Sequence, residues 1–389
     1  MSVFRTVSAA GFRPFFGSCA LYAVILMTGW IGVFTFGWDV AGSQPVNWHA
    51  HEMIHGVVVA AIAGFLLTAV PKWTGTRPVD GAALLMLWLL WVAGRIGFWA
   101  TDTGGPGVAG RFAEGIDLLF LPALAFAVAW PIVKTGNRRN LLIVVVLTVL
   151  LASNVMQGFI PLAQRANILA LDLVLLLMVV IGGRIGPAFT RNWLVRNGLN
   201  AEAVQVHPWL DRLALALVVL LALASLIALP PKIVGTIALA AALANLARLV
   251  EWQGWRAWRD PLVWVLHLGY AWIVVALLLR GVAGHSFALP WNAWIHALGV
   301  GAMGTLILGV MSRATLGHTG RDLRLPTGGW TMFALVTVAA VARTGNATGL
   351  FDHNVSLTVA GLTWIAAFAI FGLLFFPKLL QPRVDGLPG

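Results

Sequence analysis

The chain has little charge for its length. Of its 389 residues, 10% are charged and 60% are hydrophobic, and the mean hydropathy is +0.88. A water-soluble protein of this size would need more charged residues, because its surface must be solvated. The composition therefore argues against a soluble fold and predicts an all-α, polytopic bundle of transmembrane helices.

Cysteine is nearly absent, since Cys19 is the single cysteine. The chain can therefore form no internal disulfide and no iron-sulfur cluster held by cysteines alone. No C-x-x-C-H motif occurs, which excludes covalent attachment of haem through that motif. Metal chemistry, if present, must rest on histidine, methionine and carboxylates.

Long apolar runs recur along the whole chain, and each reaches the ~20 residues that cross a bilayer. We predict about twelve helices in a single integral membrane domain, 1–389. The first run is too long for a signal peptide and is followed by no small-residue cleavage site, so it should persist in the mature protein. The predicted spans are 13–36, 47–71, 80–100, 111–134, 140–161, 166–190, 208–229, 232–252, 260–283, 290–312, 328–346 and 355–377.

Basic residues are concentrated in alternate loops. The net charge of +11 could suggest nucleic acid, but this arrangement is the positive-inside bias of membrane proteins. It predicts that both termini are cytoplasmic, with residues such as Arg77 and Lys134 in inner loops. We therefore expect the lipid bilayer as a partner and no nucleic acid.

The segment WHAHEMIHG (48–56) opens the second predicted span at its outer end. On an α-helix, His51 and His55 lie about 40° apart, whereas His49 points roughly 200° from His51. One metal could take His51 and His55, while His49 would need another partner unless the helix start is unwound. Glu52 falls next to His49 and His55 and is suited to orient an imidazole or to carry a proton.

Other polar residues also gather in the outer half of the membrane, where ionisable groups are costly. Arg95 is expected to form a structural ion pair with Glu114 or Asp117. His267 lies nearer the cytoplasm, and it either serves a second site or a proton path or simply bonds a neighbouring helix. The remaining members of the outer group are Asn154, Gln157, Asp172 and His296.

Two of the predicted helices have weakly similar sequences. Shifting the sequence by 241 residues aligns HGVVVAAIAGFLLTAVPKWTG, from His55, with HALGVGAMGTLILGVMSRATL, from His296. Both helices are predicted to run from outside to inside with a histidine at similar depth. Two opposed axial ligands of a haem would require this arrangement.

Six blocks carry a resemblance to a known family: GFRPFF (11–16), WHAHEM (48–53), GFLLTAVPKWTG (64–75), GGRIGPAFTRN (182–192), LHLGYAW (266–272) and HALGVGAMGTLILGVMSRATLGHTGR (296–321). Through them the chain resembles the NnrS family. This resemblance implies a bacterial inner-membrane, multi-pass protein that binds haem and copper in the nitric oxide response of denitrifying or nitrosatively stressed cells. At His55 the sequence departs from the family pattern, which usually has an aromatic residue there. The matching positions are Arg13, His49, His51, Glu52, Arg184, His267, His296, Arg313 and His318.

A more distant analogy connects the chain to haem-copper oxidases and nitric oxide reductases. Their catalytic subunit also has twelve helices and takes haem ligands from helices 2 and 10. This chain has no histidine within predicted helices 6 and 7, where those enzymes keep copper ligands. The analogy therefore argues against a complete oxidase-type binuclear site.

The resemblance implies a haem b and copper protein of nitric oxide metabolism or resistance. Nitric oxide reduction is the candidate reaction, with electrons from a membrane or periplasmic donor. A non-enzymatic transporter or metal- and haem-handling protein is the alternative, and a structural or sensory component is a third. His51 and His296 are expected to bind the haem, with His49 and His55 as copper or alternative haem ligands and His267 as a ligand at a second site. Glu52 is expected to orient a ligating imidazole or to donate a proton. Arg184 and Arg313 are expected to bind haem propionates of a second site or to anchor helices.

Overall fold

The computed structural model describes residues 3–39, 44–100, 108–286 and 289–387. Within these residues all regular secondary structure is helical. Residues 40–43, 101–107 and 287–288, which the sequence assigns to outer loops, lie outside that part of the chain, as does the side chain of Arg111.

Thirteen helices follow one another in the described residues. They are α1 (Val3–Val7), α2 (Phe12–Phe36), α3 (Pro45–Thr74), α4 (Gly81–Ala100), α5 (Val108–Lys134), α6 (Leu141–Gln157), α7 (Ala163–Arg196), α8 (Pro208–Leu226), α9 (Pro231–Glu251), α10 (Pro261–His285), α11 (Ala293–His318), α12 (Trp330–Ala347) and α13 (His353–Leu380).

Helices α2 to α13 occupy the twelve predicted spans. Eleven of these helices, in the described part of the chain, are long and apolar enough to cross a membrane, and α12 is not among the eleven. The chain is therefore a multi-pass membrane protein. Helix α11 continues past its predicted end, so that His318 belongs to its last turn and not to the following loop. The cytoplasmic position of both termini stays a prediction.

The chain divides into two compact units. Unit 1 comprises Met1–Ala170, Met311–Leu323 and Phe368–Gly389, and unit 2 comprises Leu171–Val310 and Arg324–Ala367. In unit 1, α3 packs against α2, α4 and α5. In unit 2, α10 packs against α9 and against the first half of α11. The single membrane domain expected from the sequence stays a prediction.

Helices α3 and α11 depart from α-helical geometry. Helix α3 is π-helical over Glu52–Val58, directly after His51, and α11 is π-helical over Ala297–Gly304, directly after His296. A π-helical bond joins residues five apart, and such segments are rare and frequently occur at functional sites. These two helices are also the most buried of the eleven spans. In their most apolar stretch of 18 residues, 72% and 67% of the residues are buried.

Glycines in the second π-helical segment allow close packing. A Cβ atom on Gly301 would lie 2.5 Å from the ring of Trp272, and one on Gly304 would lie 2.6 Å from the ring of Trp364. A larger residue at either position would collide with an indole, so the helix requires glycine there.

Candidate functional site

His51 is buried in α3, and both of its ring nitrogens have partners. Nδ1 lies 2.8 Å from Oε1 of Glu52, while Nε2 lies 2.9 Å from Oδ1 of Asn154 and 3.3 Å from Oδ2 of Asp117. The oxygens of Glu52 and Asp117 are carboxylate acceptors. Oδ1 of Asn154 is also an acceptor, because the amide nitrogen of Asn154 itself donates to Asp117. Both ring nitrogens of His51 therefore donate, as in an imidazolium. Ligation of a metal by His51 would require one of these bonds to break.

Glu52 connects His51 to two further helices. Its side chain is fully buried, Oε1 accepts a hydrogen bond from Nη1 of Arg95 at 2.7 Å, and Oε2 accepts one from the hydroxyl of Tyr22. Arg95 also forms an ion pair with Asp117. We call Tyr22, His51, Glu52, Arg95, Asp117 and Asn154 the α3 cluster. Its two carboxylates balance one guanidinium and one imidazolium, which matters because an unpaired buried charge is costly.

The α3 cluster confirms one prediction and corrects another. The expected pair of Arg95 with Asp117 is present. Glu52, however, bonds His51, and not His49 or His55 as the helical wheel suggested. The wheel assumed 100° per residue, which no longer applies where the π-helical segment begins at Glu52.

The sequence did not reveal the partners Tyr22 and Asn154. Asn154 carried a signal, since it is a polar residue in the outer half of a predicted span. Tyr22 carried none, because a lone tyrosine in an apolar helix has many possible roles. The indole nitrogen of Trp99 donates to the Tyr22 hydroxyl at 3.0 Å and so helps to fix this residue.

His55 lies beside His51, and their ring centroids are 4.9 Å apart, as the predicted shared face requires. Its side chain is only 2% exposed. Among the described residues, neither Nδ1 nor Nε2 of His55 has a hydrogen-bond partner. A buried imidazole without partners loses the bonds that water would supply, so such a group calls for an explanation. Metal ligation would explain this environment, because the lone pair of a neutral imidazole binds iron or copper.

His49 lies in a different environment from the other two histidines of the segment. Its ring stacks on Trp30 of α2, with centroids 3.9 Å apart, whereas the ring of His51 stacks on Phe98 of α4 at 4.2 Å. The two rings therefore contact different helices, in agreement with their separation on the wheel. Metal ligation by His49 stays a prediction.

A cavity of about 120 Å³ borders the α3 cluster, a volume that would hold about four water molecules. His51, Asp117 and Asn154 line it from the buried side. Residues that the sequence placed in the outer half of the membrane thus line one cavity. Its other polar lining residues are Gln44, Asn47, Glu114, Gln157 and Asn167.

His267, on α10 in unit 2, bonds a neighbouring helix. Its Nε2 lies 2.7 Å from Oγ1 of Thr190, whose hydroxyl lies 2.9 Å from the carbonyl of Gly186 and donates to it. Nε2 of His267 must therefore carry the proton, which leaves the lone pair on Nδ1. Nδ1 has no hydrogen-bond partner among the described residues, and Gly254 packs on the ring. The helix-bonding role is present, and ligation at a second site stays a prediction.

The remaining predicted site residues divide between the two units. His296 is half-buried in unit 2 at the start of the π-helical segment of α11, and Arg184 is half-buried on α7. Arg313 is buried in the part of α11 that belongs to unit 1. Joint ligation of a haem by His51 and His296 stays a prediction, as do the proposed roles of both arginines.

Two residues of the matching blocks contact helix ends in unit 1. The guanidinium of Arg13 donates from Nη1 to the carbonyls of Leu379 and Gln381, at 2.7 and 2.8 Å. Nδ1 of His318 lies 3.0 Å from Nζ of Lys72. Cations near the carbonyls of a helix C-terminus are favourable, so Arg13 has a structural role.

The donor set suits haem better than a copper ion with three protein ligands. In the ranges that the structure describes, no three histidine, cysteine, aspartate or glutamate side chains converge as a metal site. A haem would supply four ring nitrogens of its own and would need only one or two further ligands from the protein. The bare imidazole of His55 can provide one such ligand.

Comparison with known proteins gives one clear result. A family model described as "NnrS protein" matches residues 6–383 of the chain, which is nearly its whole length. No curated protein matches the chain.

Proposed function

We propose that this chain, which belongs to the NnrS family, binds haem b and acts on nitric oxide in the bacterial inner membrane. The family membership fits a membrane protein of the nitric oxide response. Nitric oxide is small and uncharged, so it can reach a site within the bilayer through lipid and needs no pore.

The environment of His55 is the observation that carries this proposal. Its two ring nitrogens lack hydrogen-bond partners among the described residues, although the side chain is 2% exposed. His51 has both nitrogens engaged within a charge-balanced cluster. We therefore assign the haem ligand on α3 to His55 in preference to His51, which makes this ligand a feature of this chain and not of the family pattern. Ligation by His296, with which His55 aligns when the sequence is shifted by 241 residues, stays a prediction from the sequence.

The α3 cluster fixes the position of His51 and gives each of its ring nitrogens a hydrogen-bond acceptor. Arg95 and Tyr22 hold Glu52, and Glu52 holds Nδ1–H of His51. Nε2–H of His51 points to Asn154 and Asp117, which border the polar cavity. Water in that cavity could replace a proton given up at Nε2. A bound haem would supply an iron that binds nitric oxide and passes electrons to it, and the reduction also consumes protons.

Copper remains an expectation from the family resemblance. His49 and His55 are the residues that the sequence offers for it, and His267 is a further candidate. Because no group of three ligands forms among the described residues, we assign copper no step in the reaction.

Purified protein tests the proposal and separates it from its alternative. We expect a haem b absorption spectrum and consumption of nitric oxide when an electron donor is added. Haem-loaded protein that consumes no nitric oxide would instead support the transporter or metal-handling function. A colourless preparation after haem-replete expression, with no metal in elemental analysis, would contradict both.

A further inference from the structure

A groove on unit 1 lies apart from the α3 cluster. It runs between α4 and α5 and has a volume of about 890 Å³. The lining residues are spaced by three and four positions along each helix, which places them on one face of each. They are Ala83, Met86, Leu87 and Leu90 on α4, and Ala123, Phe126, Ala127, Trp130, Pro131 and Lys134 on α5, with Thr76, Arg77 and Val79 from the preceding loop.

The groove has the shape of an acyl-chain site. The short side chains of Ala123 and Ala127 leave space between large ones, and Met86, Phe126 and Trp130 are 70%, 69% and 61% exposed. From Ala123 to Lys134 the helix rises about 16 Å. This is close to half of the ~30 Å hydrocarbon thickness of a bilayer, which is one leaflet.

Two cations stand at one end of the groove. Arg77 and Lys134 are both exposed, and within the described residues neither takes part in an ion pair. None of the described residues that line the groove carries a carboxylate. The sequence places both cations at the cytoplasmic surface, where the leaflet carries anionic lipids that attract basic residues.

We propose that this groove binds one phospholipid with an anionic headgroup. Arg77 and Lys134 hold the headgroup, and an acyl chain lies along Ala123, Ala127 and Trp130. An apolar groove alone would accept any lipid. The two unpaired cations at its end select for negative charge, and each contributes about a fivefold preference near the membrane surface.

Native mass spectrometry of the full-length protein in detergent tests this proposal. The probes are phosphatidylglycerol and phosphatidylcholine with identical acyl chains, mixed in equal amounts. We expect wild type to retain phosphatidylglycerol preferentially, and Arg77→Gln/Lys134→Gln to reduce that preference by roughly 25-fold, since the two cations act on the same headgroup. Ala127→Phe, which fills the groove, should reduce the binding of both lipids.

The matched control is Arg138→Gln/Arg139→Gln, which removes two exposed charges just beyond α5 that do not line the groove. This variant should bind like wild type. Equal retention of both lipids by wild type would overturn the proposal, as would an equal loss of binding in the control. If Ala127→Phe binds phosphatidylglycerol normally, the headgroup attaches to the surface without a chain in the groove, and the proposal also fails.

Discussion

The ion pairs of buried arginines are arranged differently in the two units. In unit 2, Arg280 pairs with Asp172 and Arg248 pairs with Asp211, so each guanidinium has one carboxylate. In unit 1, Arg95 faces two carboxylates, Glu52 and Asp117. The pairs of unit 2 are balanced without further groups, whereas the α3 cluster is balanced only when His51 is protonated. The charge balance of the α3 cluster therefore includes an imidazole, whereas that of these two pairs does not.

The buried histidines extend the comparison. His267 of unit 2 has one hydrogen bond, to Thr190, and this bond accounts for its place between two helices. His55 of unit 1 has none among the described residues. Unit 1 thus combines a cluster that holds a proton with an imidazole free to bind a metal, which is why we place the chemistry there.

Removal of Arg95 should have the largest effect on stability. Arg95→Leu leaves two buried carboxylates with one imidazolium, and we expect a loss of about 3–5 kcal/mol or a failure to accumulate. Arg280→Leu, which leaves one carboxylate, is the matched variant of unit 2. Unfolding of both variants in the same detergent measures the difference, and Glu52→Gln should partly rescue Arg95→Leu. Arg95→Leu breaks two ion pairs and Arg280→Leu breaks one, so a smaller loss for Arg95→Leu would contradict the role assigned to Arg95.

Removal of His51 comes next in size. His51→Leu leaves the α3 cluster with one excess negative charge, which should cost about 3 kcal/mol. The double variant His51→Leu/Asp117→Asn restores the balance between Glu52 and Arg95, so it should be more stable than the single variant. The comparison needs only denaturation curves. If Asp117→Asn adds a further loss to His51→Leu, the imidazolium assignment is wrong.

His267 provides the neutral reference in unit 2. His267→Leu removes one hydrogen bond between uncharged groups, and the expected loss is about 1 kcal/mol. The same denaturation experiment checks this value. A loss as large as that of His51→Leu would mean that His267 also belongs to a charged or metal-bound site.

Loss of an exposed ion pair near the C-terminus should have the smallest effect on stability. The hydrogen bond from Arg383 lowers the pKa of Asp385 below its ordinary value of 3.8. A lowered pKa stabilises the folded state above pH 3.8, and this contribution is lost as the pH falls through the folded-state pKa. Asp385→Asn should therefore reduce the unfolding temperature slightly at pH 7 and not at pH 2. A larger difference at pH 2 would reverse the expected sign.

Hydropathy and charge were sufficient to locate α2 to α13, because a span must be long and apolar wherever it packs. Only α12 falls short of that criterion in the part of the chain that the structure describes. They also identified Arg95, Asp117 and Asn154 as polar residues of the outer half. The π-helical segments could not be predicted, since periodicity analysis assumes a constant turn. The bonds of Glu52 to Tyr22 and of His51 to Asn154 join residues far apart in the chain, and one sequence does not specify which helices pack together.

Haem content of two single variants tests the central claim most directly. Wild type, His55→Ala and His51→Ala are purified after haem-replete expression, and the haem absorbance is divided by the protein concentration. We predict that His55→Ala loses the haem of wild type, or its spectrum changes to that of a haem with one axial ligand fewer, while His51→Ala keeps the wild-type spectrum at lower stability. An unchanged spectrum in His55→Ala, with haem lost from His51→Ala, would return the ligand to His51 and contradict the account.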